Sequence, residues 1–114
     1  MAVFPPIMKP PHTWGAPPEV TIASGVAALS GEGSYLVDTE ADAASDDLDK
    51  LTGLVEGDEV VLKAANNART VVLKNGAYLK IGVDFSLNNQ YDTITLLCIG
   101  SDTCVVKGGR ASGG

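Results

Sequence analysis

Glu59-Val60-Val61-Leu62-Lys63 and Thr70-Val71-Val72-Leu73-Lys74 are two valine-rich runs, each bounded by polar or charged residues, with Asn66-Asn67 between them. Five residues of this kind fit a strand and are too few for a stable helix. The same signal extends in both directions. Upstream, Val20-Thr21-Ile22-Ala23 and Val26-Ala27-Ala28-Leu29 flank Ser24-Gly25, and Tyr35-Leu36-Val37 follows Gly31-Glu32-Gly33. Downstream come Tyr78-Leu79-Lys80-Ile81, Phe85-Ser86-Leu87, Thr93 to Ile99, and Cys104-Val105-Val106. Glycine, asparagine or aspartate separates nearly all of these runs, which is the pattern of an all-β domain. Asn75-Gly76 is a strong turn dipeptide because both residues tolerate positive φ.

The expected architecture is a compact β-sandwich, barrel or short β-prism over residues 19–107, with at most one short helix. That helix is expected at Asp46-Asp47-Leu48-Asp49-Lys50-Leu51-Thr52. Ser45 serves as its N-cap, acids occupy its first turn, Lys50 its last, and Gly53 its exit. Leu48 and Leu51, three apart, would point inward together.

Composition is uneven along the chain. All six prolines fall within residues 1–18. Each fixes its own φ, removes a donor and pushes its predecessor towards extended geometry, so this segment reads as an extended Pro-rich arm. Phe4, Ile7, Met8 and Trp14 are interleaved with the prolines, and a mere linker needs no such side chains. They are the expected partner-binding residues. A pre-extended arm also loses less conformational entropy on docking than a flexible one. At the other end, residues 108–114 carry no apolar residue larger than alanine and read as a flexible tail.

The formal charge is −6, and nine of the fourteen acids lie between Asp38 and Glu59 with Lys50 as the one base. This window carries −8 and the rest of the chain +2. The acidic balance and the scattered bases argue against a nucleic-acid partner. No stretch approaches the roughly 18 apolar residues of a membrane span. Nor is there a secretory signal, so folding is expected in a cytoplasm.

Within the acidic window, Asp38, Glu40, Asp42, Asp46 and Asp49 fall at positions 1, 3, 5, 9 and 12, the spacing of an EF-hand calcium loop. Ala43 stands where that loop needs glycine, and Asp49 where it needs a bidentate glutamate. The window therefore reads as a solvated acidic loop, with no metal and no cofactor expected. His12, the one histidine, lies in the arm, and neither a nucleophile elbow nor a phosphate loop is present. No catalytic residues are assigned, and an enzyme is not expected. Cys98 and Cys104 flank Gly100-Ser101-Asp102. A hairpin turning about Ser101 would set them directly opposite each other, either as small apolar strand residues or as a cross-strand disulfide.

Several segments between Val20 and Val106 resemble a family of bacteriophage virion structural proteins, covering head-associated and tail-fibre domains. The resemblance is carried by Val37-Asp38-Thr39-Glu40, Ala43 to Asp49, Leu62 to Asn66, Ala68 to Gly76, Asp84 to Leu87, and Asp92 to Leu96 leading to the Gly100-Ser101 turn. The family's closing turn and tryptophan are replaced here by Cys98, Ile99 and Thr103. The resemblance implies a non-enzymatic part of a virion. A free-standing chain of this size with an arm is similar to capsid decoration (cement) proteins, which are small, β-rich and often trimeric. The implied partners are the major capsid protein and neighbouring copies of the chain in a homotrimer, on a capsid surface assembled in the host cytoplasm. A short head or tail fibre or adaptor subunit is the alternative. A calcium-dependent surface- or carbohydrate-binding module is a third.

Overall fold

The computed structural model describes residues 17–89 and 91–110. They form eleven strands: β1 (Glu19–Thr21), β2 (Val26–Ala28), β3 (Gly33–Asp38), β4 (Ser45–Leu48), β5 (Lys50–Thr52), β6 (Glu59–Ala64), β7 (Thr70–Leu73), β8 (Leu79–Lys80), β9 (Phe85–Leu87), β10 (Thr93–Gly100) and β11 (Thr103–Arg110). The all-β class expected from the sequence is what the chain has. Its winding is β-solenoid-like, which the expectation of a sandwich, barrel or prism did not include. β3 lies parallel between β1 and β6, β2 lies parallel to β5, and β4 lies parallel to β7. Gly33 sits opposite Val60, Ser45 opposite Thr70 and Val26 opposite Lys50, offsets of 27, 25 and 24 residues. Parallel neighbours need a long crossover. Here each crossover is the remainder of a coil.

After β8 the winding reverses. β9 runs antiparallel to β7, and β10 runs antiparallel to β6. β11 then turns back along β10 and lies parallel to β8. The reversed strands occupy the edges of β6 and β7 that another coil would otherwise need to cover. The six-stranded sheet has the order β1-β3-β6-β10-β11-β8.

Alternation within strands becomes stacking between them. β6 buries Val60, Leu62 and Ala64, while β10 buries Ile94, Leu96 and Cys98. Registry then places Tyr35, Leu62 and Ile94 in one row, and Val37 and Ala64 in the next. Two further rows join Leu48 to Leu73 and Ala27 to Leu51. The core is almost wholly aliphatic, with Tyr35 its one buried aromatic residue among the described residues. Each fully buried leucine or isoleucine contributes about 1.5–3 kcal/mol.

Two expectations are corrected. Ser45–Leu48 and Lys50–Thr52 are strands, not a helix. Leu48 and Leu51 do both point inward, but a corner at Asp49 produces that spacing. The Asp49 and Lys50 amides both donate to the Gly25 carbonyl, at 2.7 and 3.2 Å. The ladder with β7 supplies backbone partners that a free-standing helical turn lacks, so tertiary pairing overrides the capping signals. The short turn at Glu40–Asp42 is not helical either, since Ala41 and Asp42 have positive φ, 55° and 58°. At the C-terminal side, β11 continues to Arg110, past the expected domain limit at residue 107, because Gly108 and Gly109 take their places opposite Thr95 and Ile94. A ladder requires backbone groups, not large side chains.

Asn75 does shape a turn, by a different route from the one expected. Gly76 is not among the residues with positive φ. The Asn75 side-chain oxygen accepts from the Ile81 and Gly82 amides, at 3.1 and 2.9 Å, gathering the loop where the winding reverses. By contrast, Ser24 (φ 52°) and Gly25 (φ 80°) make a tight corner closed by reciprocal bonds between Ala23 and Val26.

Coils approach closely at Gly53, where φ is +86° and a Cβ would overlap the Leu29 carbonyl. Gly53→Ala is expected to cost about 2 kcal/mol or more. Leu62→Ala, in the central row, is expected to cost about 2–5 kcal/mol. Urea unfolding followed by circular dichroism measures both. A loss under about 0.5 kcal/mol in either would contradict this packing.

Candidate functional site

The acidic window forms the corners of the coils. β3 ends at Asp38, which is 8% exposed. Both its carboxylate oxygens accept from one guanidinium nitrogen of Arg69, at 2.9 and 3.0 Å, and Oδ1 also accepts from the Thr39 amide. Arg69 belongs to the β6–β7 corner, where the Asn66 side-chain oxygen accepts from the Ala68 amide. The two corners are stacked by backbone bonds on either side, from Ala65 to Val37 and from Thr70 to Ala44. Asp42 approaches the same guanidinium at 3.4 Å. The adjacent carboxylates raise the Arg69 pKa above its ordinary value, with the hydrogen bond to Asp38 as the largest cause.

The remaining acids of the EF-hand-like spacing have other partners. Glu40 accepts from the Ser24 amide at 3.0 Å, which ties the second corner to the first. Asp46 accepts from the Glu40 and Asp47 amides, at 2.8 and 2.9 Å. The Asp49 carboxylate packs against Gly25. The five carboxylates are thus distributed as staples for corners and loops. Among the described residues no cluster of three histidine, cysteine or acidic side chains could hold a metal ion. To gather around a cation, these carboxylates would have to give up their bonds to the corner amides and to Arg69.

A second polar group sits where β5, β8 and the final hairpin meet. The Lys50 ammonium lies 4.4 Å from the Tyr78 ring centre and 3.6 Å from Asp102. Neither contact was legible in the sequence, because 28 residues separate Lys50 from Tyr78 and 52 separate it from Asp102. At the winding reversal, Lys74 pairs with Asp84 at 2.9 Å. That bond, with a second from the Asn75 amide, holds the Asp84 pKa below its ordinary value.

The arm residues Phe4, Ile7, Met8 and Trp14, and His12, lie outside the described residues. What is placed is the arm's root. The Pro18 carbonyl accepts from the Leu36 amide at 2.9 Å, so the chain joins the large sheet along β3 and continues as the terminal strand β1. Beside this root is a shallow depression of about 180 Å³, lined by Pro18, Ser30, Glu32, Gly33, Ser34 and Tyr35. Tyr35 stiffens its wall: the hydroxyl donates to the Gly31 carbonyl at 2.6 Å and accepts from the Ser30 amide at 3.1 Å. The sequence showed the arm and the strand beyond it. It did not show that the two meet at a sheet edge, because strand order is a long-range property.

Cys98 and Cys104 face each other across β10 and β11, as a turn about Ser101 requires, and both are buried and free. Burial first, and Cys98 second, push the Cys104 thiol up to about 11. No helix among the described residues is long and apolar enough to cross a membrane. No protein-family model matches the chain, and no curated protein matches it.

Removing the corner staple is expected to loosen the coils. Arg69→Met and Asp38→Asn should each lower the urea midpoint, and the double variant should lose less than the two single losses together. Simple additivity would show that the pair is not coupled. The raised Cys104 pKa also has a definite sign. The fold favours the protonated thiol, so its contribution is intact below the ordinary thiol value of 9.0 and is lost as pH rises towards 11. Urea midpoints measured across that window should fall more steeply for the native chain than for Cys104→Ala. Equal slopes would contradict the assignment.

Proposed function

We propose that the protein is a non-enzymatic bacteriophage virion component, a capsid decoration (cement) protein that bridges and stabilises major capsid proteins. The observation that carries this reading is the position of the arm's root. Pro18 joins the terminal strand of the large sheet, so the apolar residues upstream of it begin at an edge of a small, cross-braced β body. Phe4, Ile7, Met8 and Trp14 would engage the capsid or a neighbouring copy, with a homotrimer as the assembly. The body resists deformation through stacked aliphatic rows and stapled corners. Exposed acids such as Glu40, Asp42, Asp47 and Asp49 give its surface a negative balance suited to a basic partner or to solubility.

A short head or tail fibre or adaptor subunit is the second reading. It is favoured by the solenoid-like winding, in which strands of successive coils stack along one direction. Copy number separates the two: hundreds per particle for decoration, a few for a fibre.

Deleting residues 2–16, which leaves the Pro18 bond to Leu36 in place, should abolish co-sedimentation with expanded capsids while the melting temperature of the β body holds within about 2 °C. Undiminished capsid binding by the shortened chain would overturn the role of the arm. Solution mass measured by light scattering should be three times that of one chain.

A further inference from the structure

The chain has two cysteines, and capsid decoration requires neither. They are paired residue for residue in the antiparallel ladder of β10 and β11. The Cys98 amide donates to the Asp58 carbonyl and the Cys98 carbonyl accepts from the Gly57 amide, both at 2.8 Å. Both of these backbone groups therefore point away from β11, towards the segment that leads into β6. The Cys104 amide donates to the Tyr78 carbonyl at 2.8 Å, on the side of β8 and away from β10.

Opposed residues whose backbone groups turn away from each other form the non-hydrogen-bonded pair of an antiparallel ladder, with Cα atoms about 4.5 Å apart. That spacing falls at the short end of the Cα window of a disulfide, about 4.4–6.8 Å. Both side chains point to the same inner face, with exposures of 1% and 0%. The Cys98 thiol donates to the Gly100 carbonyl at 2.9 Å, and Cys104 is perturbed by Cys98 through both charge and hydrogen bonding. The two thiols are thus buried neighbours.

We propose that Cys98 and Cys104 form a redox dithiol that closes to a cross-strand disulfide by exchange with a small-molecule disulfide, locking the two strands of the terminal hairpin together. In the first step one protein thiolate attacks the external disulfide. A mixed disulfide forms, the external S–S bond breaks, and the displaced thiolate takes up a proton from solvent. In the second step the other protein thiolate attacks the protein sulfur of the mixed disulfide and releases the second small thiol. Two S–H groups of the protein are exchanged for one S–S bond, and the external disulfide, having accepted two electrons, becomes two thiols.

Location gives the bond its consequence. β10 is hydrogen-bonded to both β6 and β11, and β11 also holds β8. A link at the turn end of this hairpin fastens the reversed strands that close the coils. Burial of both thiols makes the reduced pair slow to react in the native fold. The short Cα distance makes the bond easier to reduce than an unstrained structural disulfide. The pair would be reduced in a thiol-rich cytoplasm and oxidised once the protein leaves it.

The test uses the full chain, equilibrated in mixtures of reduced and oxidised glutathione at mildly alkaline pH, then acid-quenched, denatured, alkylated and weighed intact. A peptide spanning residues 96–106 serves as the unstructured control. The expected product is one species two hydrogen atoms lighter than the reduced chain, with no alkylated cysteine. Its midpoint should not depend on protein concentration. The oxidised chain should melt roughly 5 °C above the reduced one, and glutathione treatment should leave the melting temperature of Cys98→Ala without that rise. Glutathione adducts, disulfide-linked dimers, or two alkylatable thiols in a mixture that oxidises the control peptide would overturn the couple. An oxidised chain melting no higher than the reduced one would overturn the lock.

Discussion

The structure depends first on the parallel register of β3 against β6. Residues Gly33 to Val37 lie along Val60 to Ala64, which stacks Tyr35 on Leu62 and Val37 on Ala64. Side chains alternate with period two, so a slip of one residue would turn Val60, Leu62 and Ala64 outward together and expose the central rows. The same register carries the corner beyond it. Because Val37 is matched to Ala64, the chain leaves both strands at the same height, and Asp38 arrives beside the loop that bears Arg69. The ion pair is a consequence of the stacked apolar rows. Being partly buried and doubly bonded, it is also better placed than an exposed pair to oppose their sliding.

A stack of parallel coils leaves unpaired backbone at its ends, and the two ends are treated differently. At one end the chain reverses, and β9 and β10 lie antiparallel on β7 and β6. At the other, β1 is only three residues long and continuous with the Pro-rich arm. Short edges and nearby prolines both discourage unwanted strand addition. Charge follows the same division of labour. Carboxylates concentrated in one stretch of sequence are dispersed over successive corners, several of them meeting backbone amides or a single base. A linear cluster of acids therefore does not become a spatial one.

Much of this organisation was legible in the residues. Val60-Val61-Leu62, Val71-Val72-Leu73 and Phe85-Ser86-Leu87 read as strands and are strands. The separation of Cys98 from Cys104 located the final turn correctly. Ser45 to Thr52 misled because its signals are local. A capping serine, early acids and leucines three apart are satisfied equally well by two strands joined at a corner, and only the presence of β7 alongside favours the strands. Arg69 is the functional counterpart of Asp38, yet nothing in a stretch rich in alanine and asparagine marked it as the partner of an acid 31 residues earlier.

By itself the sequence determined that this chain is a β body preceded by a proline-rich segment, where most of its strands fall and which of their side chains face inward. Those properties depend on alternation, turn residues and proline geometry, all of which act over a few residues. The tertiary structure alone decided that the strands wind in parallel before reversing, that the acids become staples, and that the arm begins at a sheet edge. An alternating strand offers the same apolar face and the same row of donors to a parallel or an antiparallel neighbour. Its partner is selected only when whole coils pack together.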